Sequence, residues 1–270
     1  MIYVVSYSGG KDSTALWAWA VRTNLAPRIV VAVDTGWESA GWLPYVEDVS
    51  RILGEPCRVV RPAQTFAERV RHKGTFPSRV RRWCTEDLKL KPFSAELDRI
   101  REESGDEVCV VVGVRAEESS KRAAMPEREW SDAYDCEMWR PLISWTLADV
   151  IAEHHRAGLP LNPLYLRGAE RVGCFPCVMA SKAEIAMVAR EEPQRIDEIR
   201  AIESEIGHTM FCADDTKDGK RYQRPVGIDE HVAWARTSRG GRQLTVFAEP
   251  SGCARWGICE APTDSEEESK

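Results

Sequence analysis

Three groups of residues in this 270-residue chain are of types that do chemistry. The first is Ser8-Gly9-Gly10-Lys11-Asp12-Ser13, set between an apolar run at 2–5 and an apolar stretch at 14–21. Two residues without Cβ at a helix start let the backbone curl into a concave nest of N–H donors. The first helical N–H groups there lack intrahelical partners, and the dipole favours an anion. Lys11 adds a full positive charge, which completes a phosphate cradle. The Walker spacing G-x-x-x-x-G-K-[ST] is absent, so this is a different device. The second group lies among nine cysteines, an odd number and a large one. In a reducing compartment such usage favours metal binding, redox chemistry or burial over disulfides. Cys174-x-x-Cys177 and Cys253-x5-Cys259 are two close pairs, flanked by Gly173, Gly252 and Gly257. Four thiolates can hold a [4Fe–4S] cluster or a structural Zn²⁺, and the gap between the pairs favours neither metal. The third is Cys84, where Arg81, Arg82 and Lys89 are expected to lower the thiol pKa and sharpen a nucleophile.

These residues need elements to hold them. Residues 2–5, 28–34, 57–60 and 107–114 read as short buried strands, with Cys57 and Cys109 as core residues within two of them. Helical patterns at 14–21, 42–53 and 86–103 alternate with them, which predicts a right-handed, mostly parallel, doubly wound α/β sheet. Ligands in such sheets sit beyond the carboxyl ends of the strands, so residues 8–13, 34–36 and 113–122 should converge on one crevice. After about residue 140 the strand signal fades and helices are expected at 143–158, 183–190 and 193–206. Thr146 caps the first with Asp149 as an imperfect capping box, and Pro193 suits a first helical position. The expected organisation is a nucleotide-binding α/β domain at 1–140, a helical cysteine-bearing part at 141–262, and an acidic disordered tail at 263–270.

Composition narrows the class. The chain has 43% hydrophobic and 30% charged residues, no apolar run long enough to span a membrane, and no signal peptide pattern, so a cytoplasmic location is expected. The net charge of −6 excludes a general polycation. Eight Lys/Arg nevertheless fall within residues 69–91, against Glu86 and Asp87 alone. Such a patch suits a phosphate-rich ligand, either a nucleotide or a nucleic-acid backbone.

Ser-Gly-Gly-Lys-Asp-Ser after a first strand resembles the pyrophosphate-binding PP-loop of ATP pyrophosphatases and sulfonucleotide reductases. RRWCTEDLKLKP (81–92), VGVRAEESSKR (112–122), RPLISWTLADV (140–150) and LPLNPLY (159–165) look like successive landmarks of the PAPS reductase family. The resemblance implies an adenine nucleotide alpha-hydrolase-like fold, with Ser8, Gly9, Gly10, Lys11, Asp12 and Ser13 on the nucleotide phosphates. It also implies Asp34 near the nucleoside, and Gly113, Arg115, Glu118 and Arg122 on the substrate side. A guanidinium fork at Arg115 matches phosphate or sulfate oxygens. Among the two metals the resemblance favours [4Fe–4S] on Cys174, Cys177, Cys253 and Cys259, with zinc as the alternative and Mg²⁺ accompanying ATP. Two departures matter. Trp83 precedes Cys84 where cluster-bearing APS reductases have a second cysteine, and the C-terminal Glu-Cys-Gly-Leu-His motif of thioredoxin-dependent PAPS reductases is missing. The chain is therefore more similar to the sulfur-inserting, DndC-like branch and to phage-type PAPS reductase family proteins. The expected activity is ATP cleavage to AMP and pyrophosphate with sulfur transfer to an acceptor, in which Lys11, Cys84 and Arg115 act catalytically. Nucleic acid through 69–91 and a sulfur- or electron-donor protein are the expected partners. The alternatives are a PAPS/APS reductase releasing sulfite and a non-catalytic, zinc-stapled nucleotide-binding protein.

Overall fold

The computed structural model describes residues 1–217 and 220–237. Its first strand, β1 (Ile2–Tyr7), buries Val4 and Val5 completely and runs two residues past the apolar stretch. Helix α1 (Lys11–Arg22) begins directly after the glycine pair and buries Leu16 and Trp17 against the sheet. The strands β2 (Arg28–Val33) and β3 (Cys57–Val60) flank α2 (Trp42–Leu53), in the alternation the sequence predicts. Helix α3 (Phe66–Lys73) is an addition to the expected set. Its start carries a full capping box, Thr65 with Glu68, in a stretch whose basic character masks the signal.

The single helix expected over 86–103 divides in two. A π-helical turn covers Glu86–Leu90, and α4 (Lys91–Ser104) follows with Pro92 in its first turn. Proline has no N–H to donate and crowds the carbonyl behind it, so the hydrogen-bond ladder widens just before it. After β4 (Val108–Val111) comes a hairpin of β5 (Arg128–Ser131) and β6 (Cys136–Trp139). The sheet order is β3-β2-β1-β4-β6-β5, parallel throughout except for the antiparallel β5–β6 pair. The sequence reading missed β5 because Arg128, Glu129 and Trp130 are exposed. An edge strand needs no apolar run.

Beyond the sheet, α5 (Leu147–Arg156) is capped by Thr146, and the capping box with Asp149 is complete. Helices α6 (Lys182–Glu191) and α7 (Pro193–Ile206) follow the expected course. The fading of strands after residue 140 is corrected by an antiparallel pair, β7 (Phe211–Lys217) and β8 (Lys220–Val226), ahead of α8 (Ile228–Ala235). The charged sequences of β7 and β8 carry no apolar alternation to announce a strand. One core cluster joins Ile185, Ile199, Ile202 and Ile228 of the later helices to Trp37, Phe66, Phe76 and Leu88 of the earlier chain. That shared packing fixes Cys84 and Cys174, both at its margin, relative to the earlier chain.

Candidate nucleotide and thiol site

The chain passes from β1 to β2 and β3 on one side, then crosses to β4 on the other side of β1. The loops leaving β1 and β4 therefore diverge and open a crevice at this switch point. A cavity of about 680 Å³ lies there. Ser8, Gly10, Lys11, Asp12 and Ser13 line it from the β1 loop, and Gly113, Arg115, Glu118 and Arg122 from the β4 loop. Asp34 is not among the lining residues. It leaves β2, one strand further out, and pairs with Arg61 at 2.8 Å while accepting from Gly36 N.

Gly9 shapes the loop from outside the cavity. Its φ is +79°, and a Cβ there would lie 2.8 Å from Trp42 Nε1 and 3.6 Å from Val172 Cγ1. Trp42 Nε1 itself donates to Ser8 O at 2.9 Å. The loop backbone is also gripped from behind by the chain at 154–165. Asn162 Nδ2 donates to Gly9 O at 3.1 Å, and Lys11 N donates to the Tyr165 hydroxyl at 3.2 Å. His154 Nε2 lies 2.8 Å from Lys11 O. A carbonyl only accepts, so Nε2 carries the proton, and the buried Nδ1 has no partner. Burial pushes the His154 pKa below its ordinary value, against the opposing pull of the Lys11 carbonyl. The imidazole is neutral at pH 7.

The charged residues form one chain of contacts. Lys11 Nζ lies 2.8 Å from Asp12 Oδ2, and Arg115 Nε lies 2.6 Å from Asp12 Oδ1. Arg115 Nη1 reaches Glu117, whose carboxylate also accepts from Leu147 N at the start of α5. Burial alone would raise the Asp12 carboxyl, but the charges and hydrogen bonds of Lys11 and Arg115 outweigh it and hold the pKa below the ordinary value. Arg115 lines the cavity with part of its guanidinium fork already engaged within the fold. Its Nε and Nη1 are occupied by carboxylates, and its first task is to set Asp12. Glu118 accepts from Arg115 N at 3.0 Å and pairs with Arg122.

A second centre adjoins the first. Val172 lines the same cavity, approaches the Gly9 position, and stands two residues before Cys174. Cys174 is bridged to Glu38, and Phe175 N donates to Trp37 O at 2.7 Å. Cys84, Cys174 and Cys177 lie within electrostatic range of one another, and Lys89 donates to the Cys174 thiol. The expected low pKa of Cys84 is overturned. Burial raises it, Cys177 adds to the rise, and the opposing effects of Thr85, Arg82 and Lys89 do not compensate. Burial likewise pushes Cys174 up against the charge of Lys89. Cys57 and Cys109 are both pushed up to about 12 by burial. Among the described residues, no group of three or more His, Cys, Asp or Glu is arranged to hold a metal ion. Cys253 and Cys259 lie outside the described residues.

Sequence reasoning missed several participants. Tyr165 and Asn162 sit in the LPLNPLY landmark, and Arg171 immediately precedes Val172, so adjacency to motifs was the available signal. Glu117 likewise sits in the VGVRAEESSKR landmark, whereas His154 had no such signal, because it acts through a backbone atom of a distant segment.

The profile of the phosphoadenosine phosphosulfate reductase domain matches residues 2–180. An uncharacterised 37.8 kDa protein of Escherichia phage 186 is 31% identical over 96% of this chain and 97% of its own length. An adenosine 5'-phosphosulfate reductase of Allochromatium vinosum is 31% identical over 59% of this chain and 62% of its own. Among solved structures, a phosphoadenylyl-sulfate reductase of Candida auris in a phosphate complex is similar, with a TM-score of 0.48 and 18% identity. That match covers 64% of this chain and 81% of the other. By its matched domain, which carries both the β1/β4 crevice and the Cys174–Cys177 pair, the chain belongs to the phosphoadenosine phosphosulfate reductase domain family.

Proposed function

We propose that this chain is an enzyme that binds ATP in the β1/β4 crevice, cleaves it to AMP and pyrophosphate, and transfers sulfur to the acceptor so activated. The observation that carries this reading is the joint at Val172. One short segment lines the nucleotide cavity, packs on the Gly9 loop and bears Cys174. Phosphate activation and thiol chemistry are thereby neighbours.

The N–H nest and Lys11 meet charge developing on the phosphates, and Asp12, set by Arg115, orients the lysine. An acceptor oxygen attacks the α-phosphorus and pyrophosphate leaves. The terminal sulfur of a persulfide on Cys84 then attacks the activated carbon, and AMP departs with the C–O electron pair. A thiolate of a dithiol donor attacks the Cys84 sulfur of the resulting mixed disulfide, which releases the thiolated acceptor. The donor's second thiol closes the donor's own disulfide and frees the Cys84 thiolate, and a persulfide donor reloads Cys84. The raised thiol pKa of Cys84 fits a sulfur carrier kept inert until loaded. The cavity's four cationic side chains, Lys11, Arg115, Arg122 and Arg171, are balanced by Asp12, Glu117, Glu118 and Glu170. ATP's charge is then best met by a Mg²⁺ that arrives with it. A [4Fe–4S] cluster, in this reading, would be held by Cys174, Cys177, Cys253 and Cys259 and would supply sulfur or electron chemistry. Its fit rests on soft-thiolate donor chemistry, and no step above passes through it.

The test is product analysis with ATP and candidate acceptors. Pyrophosphate and AMP should form, and Lys11→Ala should lose them; ADP and phosphate as sole products refute the reading. A second reading, a sulfonucleotide reductase, is favoured by the relatives named adenosine 5'-phosphosulfate reductase. Sulfite release from adenosine 5'-phosphosulfate with a dithiol, without ATP cleavage, would select it.

A further inference from the structure

Most cations of the basic segment 69–91 have partners within the fold. Arg69, Lys73 and Lys91 all converge on Asp87, at 2.7, 3.2 and 2.7 Å. Arg71 pairs with Glu205 at 2.7 Å, and Lys89 turns inward to Cys174. Arg79, Arg81 and Arg82 remain. All three are exposed, and none has a carboxylate partner among the described residues. Apart from these and Arg236, every arginine whose side chain is described carries one. In a chain of net charge −6, leaving three adjacent guanidiniums unpaired is a local exception.

The turn that bears them is built rather than loose. Ser78 N donates to Arg81 O at 3.1 Å, and Arg81 N donates to Ser78 Oγ at 3.0 Å. Buried Phe76 anchors its approach, and Arg82 caps the helical turn Trp83–Thr85 that carries Cys84. We propose that Arg79, Arg81 and Arg82 form a docking turn for the phosphodiester backbone of a nucleic acid, held beside Cys84. Guanidinium forks match phosphate oxygens, and a preformed turn loses little entropy on binding. The composition separates this partner from an acidic protein. Protein interfaces carry an apolar or aromatic core, whereas nucleic-acid interfaces are more polar and strongly positive. The turn's only apolar side chain is Val80, 92% exposed among charges. As a dock for the sulfur acceptor, the turn rests on the proposed sulfur transfer; as a binding surface it does not.

The experiment is fluorescence anisotropy of a labelled DNA or RNA single strand of about 20 nucleotides with the full chain, without nucleotide or sulfur donor, between about 50 and 200 mM salt. Three phosphate contacts at a slope of about 0.7 each predict that Arg79→Gln/Arg81→Gln/Arg82→Gln flattens the log–log salt dependence by about 2 and weakens binding about a hundredfold near 0.1 M salt. The matching triple lysine variant should keep most of the slope, and Arg51→Gln/Arg99→Gln, at ion-paired surface positions, should keep all of it. Absence of binding by the unmodified chain overturns the proposal, as does an unchanged slope in the glutamine variant. Equal competition by poly-glutamate would assign the turn to an acidic protein instead. Loss of adenosine 5'-phosphosulfate affinity in the glutamine variant, with nucleic-acid binding intact, would assign it to the nucleotide site. Neither overturning result would touch pyrophosphate formation from ATP, so the two readings fail separately.

Discussion

Replacing Gly113 by alanine tests how tightly the two phosphate-side loops are registered. A Cβ at this position would lie 2.8 Å from Asp12 O, 3.0 Å from Asp12 C and 3.2 Å from Ser13 Cα. All three are backbone atoms, so no side chain can swing aside. Ordinary contact begins near 3.4 Å, which leaves the shortest approach roughly 0.6 Å too close. Either the N-terminus of α1 or the loop after β4 must retreat by that amount. Overpacking of this kind costs about 1–3 kcal/mol of stability. The shift also moves Asp12 relative to Arg115, whose contact is 2.6 Å. Misplacement approaching 1 Å at a reacting site can cost on the order of a hundredfold in rate. Gly10 is the comparison, since a Cβ there meets nothing nearer than 3.5 Å. Chemical denaturation should place Gly113→Ala about 1–3 kcal/mol below the parent and Gly10→Ala within roughly 1 kcal/mol of it. Calorimetric titration with a non-hydrolysable ATP analogue should show at least a tenfold loss for Gly113→Ala. Wild-type stability and affinity in Gly113→Ala would refute the registration argument.

Two further outcomes follow from the site. The buried His154 imidazole has a folded-state pKa below its unfolded value of about 6.5, so the unfolded chain binds the extra proton between the two. Stability from this group is full above about pH 6.5 and is lost as pH falls toward the lowered value, at most about 1.4 kcal/mol per pH unit. Denaturation of the parent and His154→Asn between about pH 7.5 and 5 should therefore give curves that converge on acidification; parallel curves would contradict the unpartnered Nδ1. Anaerobically purified full-length chain should carry about four irons with matching sulfide, and Cys174→Ser or Cys177→Ser should lose them while Cys84→Ser keeps them. Iron lost in Cys84→Ser but retained in Cys253→Ser or Cys259→Ser would move Cys84 from sulfur carrier to ligand.

Much of the fold was legible because its signals are local. Apolar β-branched runs marked β1 to β4, and Gly9-Gly10 marked the tight turn into α1. Thr146 with Asp149 and Pro193 located helix starts for equally local reasons. What stayed hidden depends on neighbours distant in sequence. Exposed β5 and charged β7 and β8 are strands only because a partner strand satisfies their backbone, and no apolar pattern is needed for that. Charge was misread in the same way. Counting basic residues at 69–91 could not show that Asp87 absorbs three of them. Nor could it show that Arg115 is already held by Asp12 and Glu117. Cys84 gives the sharpest contrast, since its basic sequence neighbours argue for a low pKa and its burial beside Cys177 imposes a high one. The sequence by itself determined the glycine–lysine loop after β1, the alternating elements and the presence of paired thiols, because each is written in contiguous residues. The tertiary structure alone decided which charges remain unpaired and which thiols lie within electrostatic range of one another, because desolvation and pairing depend on distances between segments.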